Sequence, residues 1–146
     1  MKHMPQLSKT KILPYTPAQM YALVANVPAY PDFLPYCSAS GIKSEIDNQV
    51  DAFLELDFHG MRKTITTCNT MTPEKAIAMR LIGGPLDILN GQWQFEPHLT
   101  KNTQITLDIT YSVQNPLYQS IVASVIGPVA DQVLQAFEQR AEQLYG

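Results

Sequence analysis

The clearest pattern in the sequence is an alternation of apolar and polar residues between about residue 39 and residue 113. A period of two is typical of half-buried antiparallel strands, because successive side chains point to opposite faces of a sheet. Turn residues divide this segment into about six strands, and residues 6–13 form a further strand before them. The last run is the sharpest, with apolar residues at Ile105, Leu107, Ile109, Tyr111 and Val113.

Helix signals lie on both sides of this region. Before it, Thr16 suits an N-cap, and Pro17 suits the first helical position, where its missing N–H is not needed. The prolines between residues 28 and 35 restrict the next segment to a very short helix or a turn-rich loop. After it, Asn115-Pro116 opens a helix over residues 116–144, whose apolar residues recur at steps of three, four and seven.

The order of these elements predicts the fold class. Strands followed by a long helix indicate an α+β fold, with an antiparallel sheet of about seven strands and two short helices after the first strand. A sheet of this size curls, and the long helix can lie in the curl and enclose space. Proline removes a backbone donor, so Gly127-Pro128 predicts a kink or two consecutive helices. The length of 146 residues predicts a single domain over 1–146.

Charge and cysteine content argue against several classes of protein. Lys and Arg total 10 and Asp and Glu total 13, so the net charge of −3 argues against a DNA-binding domain. Lys2, Lys9 and Lys11 form at most a small basic edge. Cys37 and Cys68 indicate neither a disulfide framework nor a metal site. We find neither a signal-peptide pattern nor a membrane-spanning stretch, so we expect a soluble, cytoplasmic protein.

Catalytic motifs are also missing from the sequence. We find no G-x-S-x-G, Walker, H-E-x-x-H or C-x-x-C pattern. His59 falls at a predicted turn and His98 in a predicted loop, where both are expected on the surface. An ionisable group inside an enclosed cavity would have to be Tyr111 or Asp108. An enzyme is therefore the weakest of the functional hypotheses.

What remains is a set of apolar and aromatic residues around the space that the predicted fold encloses. Such residues line pockets for hydrophobic ligands, and the alternative is that they only form the core. We place the mouth of the cavity between Phe33-Leu34, Leu86–Leu89 and the helix near 121–129, with Trp93 and Phe95 on its floor or wall. The candidate ligand-binding residues are Tyr30, Phe33, Leu34, Tyr36, Leu86, Leu89, Trp93, Phe95, Tyr111, Ile121, Val122, Val125 and Val129.

Three segments carry a more specific pattern. Residues 13–37 read LPYTPAQMYALVANVPAYPDFLPYC, residues 84–97 read GPLDILNGQWQFEP, and residues 136–146 read AFEQRAEQLYG. In this order, and covering nearly the whole chain, they resemble the coenzyme-Q-binding, START-like family. This family is also called the polyketide cyclase/dehydrase and lipid transport proteins.

The resemblance implies the helix-grip fold, in which a curved antiparallel sheet wraps around a long C-terminal helix. It implies non-enzymatic binding of a hydrophobic ligand, a polyisoprenoid quinone such as ubiquinone, in support of respiration or lipid transport, with no cofactor and no metal. The bacterial branch is often named as ribosome-association toxins, which bind the large ribosomal subunit and block subunit joining; this is the first alternative. A polyketide-cyclase-type enzyme is the second. A transient contact with a membrane surface is a further expected interaction.

Two positions depart from the family pattern. Tyr36 stands where a Trp is common, and Leu86-Asp87 stands where an aromatic and a basic residue are common. Lys and Arg contacts with phosphate dominate RNA affinity, so a negative charge at Asp87 is unfavourable for an RNA contact. This departure favours ligand binding over ribosome binding at that surface.

Overall fold

The computed structural model describes residues 6–58, 60–84 and 86–146, apart from the side chains of Phe58, Ile121 and Val125. Its helices are α1 (Pro17–Ala25), a 3₁₀ helix (Val27–Asp32) and α2 (Pro116–Tyr145). Its strands are β1 (Gln6–Leu13), β2 (Cys37–Ile46), β3 (Gln49–Phe58), β4 (Met61–Thr72), β5 (Ala76–Gly83), β6 (Ile88–His98) and β7 (Asn102–Ser112). The predicted order of elements is confirmed, while His59 at a predicted turn and Pro85 at a predicted strand break lie outside the described residues.

The seven strands form one sheet in the order β1-β7-β6-β5-β4-β3-β2, and each neighbouring pair is antiparallel. Register shifts at Cys37/Ala39 and Ile42/Ser44 in β2 and at Thr66/Thr67 in β4 interrupt the regular pairing. Such irregularities bend a strand and increase its twist. The α+β helix-grip fold is confirmed, with a curved antiparallel sheet around the long C-terminal helix.

Both predicted helix starts have the expected caps. The Thr16 hydroxyl accepts the Gln19 backbone N–H at 3.2 Å, and the Gln19 side chain accepts the Thr16 N–H at 2.9 Å. This reciprocal pair satisfies two of the backbone donors that a helix start leaves open. At the start of α2, the Asn115 side chain accepts the Leu117 N–H at 3.0 Å. Local sequence therefore fixes where both helices begin.

The register of the strands defines two faces of the sheet. Residues that pair directly across antiparallel strands share a face. Across β3 to β7, one set of directly paired residues on the same face is Val50, Asn69, Met79, Gly91 and Ile109. Two residues further along the strands, the paired residues Ile77, Trp93 and Leu107 lie on the same face. We call the face that carries these residues the inner face, because its buried residues pack in the core with α1 and α2.

Phe137 on α2 is the centre of the packed core. Its ring lies 5.6 Å from Tyr30, 5.3 Å from Phe33 and 5.5 Å from Trp93, each in an edge-to-face arrangement. Trp93 in turn stacks on Phe95 with ring centroids 6.4 Å apart. Edge-to-face aromatic pairs contribute roughly 0.5–1.5 kcal/mol each beyond their buried area. We call these five residues the aromatic cluster.

The long helix α2 is bent, and the bend separates two different environments. The parts Pro116–Ser124 and Ile126–Tyr145 meet at 42°. Pro128 has no N–H to donate to the carbonyl of Ser124 four residues earlier, and its ring crowds that carbonyl, so the bend falls one turn before the proline. Among the side chains described, none from Pro116 to Val129 is buried, whereas Ala130, Leu134, Ala136, Phe137 and Ala141 are.

The hydropathy of the helices gives limited information about membranes. In the part of the chain that the structure describes, no single helix is both long and apolar enough to cross a bilayer. The two parts of α2 taken together meet that criterion by length and composition alone. From Ala130 onward, however, α2 contributes buried side chains to the protein core.

Charged side chains attach α2 to the edge strand β1. Lys9 lies 3.1 Å from Asp131, and Lys11 lies 2.8 Å from Glu138. All four side chains are partly exposed, so each pair is worth at most about 1 kcal/mol. Two of the three lysines of the predicted basic edge therefore form ion pairs within the protein, and Lys2 lies outside the described residues.

Candidate hydrophobic-ligand site

Part of the inner face is apolar but incompletely covered. Several inner-face side chains beyond the aromatic cluster are only partly buried, and four of them lie on the neighbouring strands β5, β6 and β7. On α2, apolar side chains on either side of the bend are also only partly buried, at Val122, Ile126 and Val129. We call the four sheet residues the open strip: Met79, Leu81, Leu89 and Ile109.

The start of α2 is fixed close to this strip. The Gln119 amide donates to the carbonyl of Val113, just after β7, at 2.9 Å. The Asp87 carboxylate accepts the Gln114 N–H at 2.6 Å, and the Asp87 N–H donates to the Ser112 carbonyl at 3.1 Å. Asp87, which departs from the family pattern, thus connects the start of β6 to the segment that leads into α2.

The predicted site residues fall into two groups, and the structure does not bring them together as expected. One group belongs to the packed core: Tyr30, Leu34, Trp93 and Phe95 are buried there, and Phe33 packs against it. Phe33 contacts Phe137, and the guanidinium carbon of Arg140 lies 5.2 Å from its ring centroid. These partners lie at residues 137–140 of α2, beyond the segment 121–129 that the sequence predicts for this contact.

The second group lies outside the buried core cluster. Leu86, Leu89, Val122 and Val129 are half-buried, and Tyr111 is buried on the inner face beside Leu89. The side chains of Ile121 and Val125 lie outside the described residues. Apart from Tyr111, the described members of this group keep some of the exposure that a ligand-binding surface requires.

Tyr36, another predicted site residue, lies at a sharp turn of the backbone. It adopts φ of 65°, a left-handed conformation, between Pro35 and the first residue of β2. Its carbonyl accepts the Asp57 N–H at 2.7 Å, which joins the loop to β3. A non-glycine residue in this conformation is uncommon, and it turns the chain sharply from the 3₁₀ helix into the sheet.

The sequence pattern does not predict the burial of two polar residues on the inner face. Thr67 and Asn69 on β4 are each only 6% exposed, and the Thr67 hydroxyl donates to Asn69 Oδ1 at 2.8 Å. The segment 62–70 is rich in Thr, so it predicts a strand with one wet face. The register places both residues opposite apolar partners instead, Asn69 between Val50 and Met79.

Asn69 borders a small cavity inside the protein. Among the described residues, this cavity has a volume of about 20 Å³ and is lined mainly by apolar side chains of α1, the 3₁₀ helix and the sheet. A volume of ~15 Å³ is enough for one water molecule. A hydrophobic ligand would therefore need the cavity to widen toward the open strip. The wall is formed by Val24, Ala25, Val27, Tyr30, Val50, Asn69, Met71, Ile77, Met79 and Trp93.

Tyr30 is held neutral by its surroundings. Its hydroxyl donates to the carbonyl of Val24, and burial, with a smaller contribution from the nearby Cys37 thiol, raises its pKa above the ordinary value of 10.0. A hydroxyl that keeps its proton to such high pH is a poor general base. Burial raises the pKa of Cys37 as well, so its thiol is a poor nucleophile.

The raised pKa of Tyr30 predicts a loss of stability in alkali. The unfolded chain releases the Tyr30 proton at lower pH than the folded protein, so this stabilisation is complete below about pH 10 and is lost as the pH rises further. The test is urea unfolding of the wild type and of Tyr30→Phe between about pH 9 and pH 11. The unfolding free energy of the wild type should fall more steeply with pH than that of Tyr30→Phe, by up to about 1.4 kcal/mol per pH unit. Equal slopes for the two proteins would contradict this assignment.

A larger concavity lies on the outer face of the sheet. It has a volume of about 460 Å³ and is lined largely by polar residues. Asp108 lies there, so it is not available to an inner cavity as the sequence suggested. The described residues contain no group of three or more His, Cys, Asp or Glu side chains that could hold a metal ion. The outer lining consists of Gln49, Cys68, Thr70, Ala78, Met79, Arg80, Asn90, Gly91, Gln92, Asp108 and Thr110.

Comparison with known proteins decides the family. The sequence profile described as "Polyketide cyclase / dehydrase and lipid transport" matches residues 13–138. The chain belongs to this family. The resemblance read from the three sequence segments is therefore confirmed.

Two curated relatives show the breadth of the family. "Ribosome association toxin RatA" of Escherichia coli is 36% identical over 142 residues, covering 97% of this chain and 90% of that protein. "Coenzyme Q-binding protein COQ10, mitochondrial" of Dictyostelium discoideum is 29% identical over 141 residues, covering 94% of this chain and 69% of that protein. Their names assign a ribosome association to the first and coenzyme Q binding to the second.

Solved structures confirm the START-like fold. A START superfamily protein from Mycobacterium smegmatis superposes with a TM-score of 0.84 and 21% identity, covering 95% of this chain and 98% of that chain. The Zhui aromatase/cyclase from a Streptomyces species gives a TM-score of 0.87 at 19% identity, covering 97% of this chain and 95% of that chain. At these identities the similarity shows the fold alone.

Proposed function

We propose that the protein binds a hydrophobic ligand without chemical change, and that the ligand is a polyisoprenoid quinone of the ubiquinone type. The observation that carries the proposal is the open strip, an apolar part of the inner face that is only partly buried, with Met79 and Ile109 packed against the core. The family includes lipid transport proteins and a relative named for coenzyme Q binding. Cavities between a curved sheet and a helix are a common setting for apolar ligands.

The apolar character of the open strip suits a hydrocarbon tail. Each CH₂ group removed from water contributes about 0.8 kcal/mol, so a few isoprene units on the open strip supply ample affinity. A ligand of this kind resides in membranes. Residues 116–130 contain no charged residue, and Leu117 and Tyr118 are exposed, which suits a transient contact with a bilayer surface during loading.

The ionisable groups support binding rather than catalysis. Tyr30 keeps its proton, and Asp108 lies on the outer face. The inner-face lysines Lys9 and Lys11 are in ion pairs with α2. A cyclase needs an ionisable group directed at its substrate. Of the two candidates from the sequence, only Tyr111 lies on the inner face.

Trp93 provides a direct test of ligand binding. It is the single tryptophan of the chain, and it lines the cavity that has to widen. Titration with decylubiquinone should quench its fluorescence in a saturable way, because a quinone ring is an electron acceptor that quenches an excited indole at close range. An unchanged spectrum, with no binding by equilibrium dialysis, would overturn the proposal.

Ribosome association is the second candidate, and the relative named "Ribosome association toxin RatA" favours it because the match covers 97% of this chain. The net charge of −3 and the acidic Asp87 do not favour an RNA contact. Co-sedimentation with large ribosomal subunits at low and at high salt tests it. Binding that weakens steeply with salt supports the candidate, and no binding at low salt rejects it.

A further inference from the structure

The inner face contains one buried polar pair in an apolar setting. Thr67 and Asn69 are each only 6% exposed. Thr67 pairs with Ala52 and Leu81 on the neighbouring strands. Asn69 pairs with Val50 and Met79. Buried polar side chains are normally hydrogen-bonded, and here each of the two residues is the other's partner.

The hydrogen bond between the two residues fixes the Asn69 side chain. Because the Thr67 hydroxyl donates to Asn69 Oδ1 at 2.8 Å, that oxygen is used as an acceptor and the amide NH₂ is the group left to donate. Asn69 also borders the small cavity, together with Tyr30, Trp93 and Met79. The cavity wall thus presents an oriented amide donor among aromatic and aliphatic side chains.

Methionines form the movable part of this wall. Met71 and Met79 line the cavity, and Met79 also belongs to the open strip. Met79 Cε lies only 2.6 Å from the position that a Cβ on Gly91 would occupy, so the Met79 side chain lies flat over this glycine. Methionine has three flexible torsions and adapts to different shapes. A rotation of Met79 would join the cavity to the open strip.

From this geometry we propose that the Asn69 amide is the hydrogen-bond donor for the head group of the bound ligand. The proposal rests on the proposed function and narrows it to hydrophobic ligands that carry an acceptor oxygen, such as the carbonyl of a quinone. The tail lies along the open strip and the head reaches Asn69 past Met79. Thr67 is a positioning residue, because it acts through Asn69.

The test compares two probes that share a tail. Decylubiquinone has acceptor oxygens on its ring, and n-decylbenzene has none. In Asn69→Leu the affinity for decylubiquinone should fall three- to tenfold, the range expected for one hydrogen bond, while the affinity for n-decylbenzene stays within twofold. Asn90→Leu, an amide-to-leucine change on the outer face, should change neither affinity.

A double variant separates the contact from its effect on the fold. Thr67→Val/Asn69→Leu removes both polar partners together, so no buried hydroxyl is left alone, and circular dichroism checks that the chain is folded. It should show the same selective loss. If both probes bind the wild type and the variants lose neither, or lose both equally, Asn69 is not the donor. If the wild type binds neither probe, the proposed function itself fails.

Discussion

Replacing Phe137 by Ala is expected to lower the free energy of unfolding by about 3–5 kcal/mol, because it removes the ring at the centre of the aromatic cluster. Phe137 is 1% exposed and meets Tyr30, Phe33 and Trp93. It thereby joins α2 to both the loop before β2 and the sheet. Such a loss is a large share of the roughly 5–15 kcal/mol that stabilises a domain.

Urea unfolding followed by far-UV circular dichroism measures this effect. Leu144→Ala is the matched control, because Leu144 lies on the same helix but is 54% exposed. Its unfolding free energy should stay within about 0.5 kcal/mol of wild type. A similar small change for Phe137→Ala would show that α2 is not held by the aromatic cluster.

Val122→Lys is expected to weaken the binding of decylubiquinone at least tenfold while the protein stays folded. Val122 is half-buried on the first part of α2, where no described side chain is buried, so the fold tolerates a long polar side chain there. A lysine ammonium that the ligand tail covers must give up water, and this desolvation costs several kcal/mol. Tenfold weaker binding corresponds to about 1.4 kcal/mol.

Two further lysine variants are controls for the Val122→Lys result. Ala123→Lys adds the same charge at the next, exposed position of the helix and should leave binding unchanged. Leu34→Lys should destabilise or unfold the protein, because Leu34 is buried in the core. If Val122→Lys binds decylubiquinone as wild type does, the first part of α2 takes no part in the site.

The sequence predicts the elements well where a local signal decides them. The alternation in β7 and the caps at Thr16 and Asn115 depend on neighbouring residues, so a single chain suffices to read them. The bend of α2 is predicted from Pro128. Its position one turn earlier follows from the carbonyl that the proline ring crowds, which is a feature of three-dimensional geometry.

The candidate site is harder to read from the sequence. Aromatic residues line pockets and fill cores alike, so the pattern around Phe33 and Trp93 does not separate the two environments; their packing on Phe137 does. Asn69 is missed for another reason. A strand with polar residues on both faces has no alternation, and only the register with β3 and β5 shows that Asn69 faces inward.

Native mass spectrometry of the protein purified without detergent from ubiquinone-producing cells shows directly whether the protein binds a quinone. We expect a bound species in addition to the 16.3 kDa chain, and solvent extraction should identify it as a polyisoprenoid quinone. Val122→Lys should carry less of it than Ala123→Lys. A protein that carries no lipid, and that takes up no added decylubiquinone, does not have the proposed quinone-binding function.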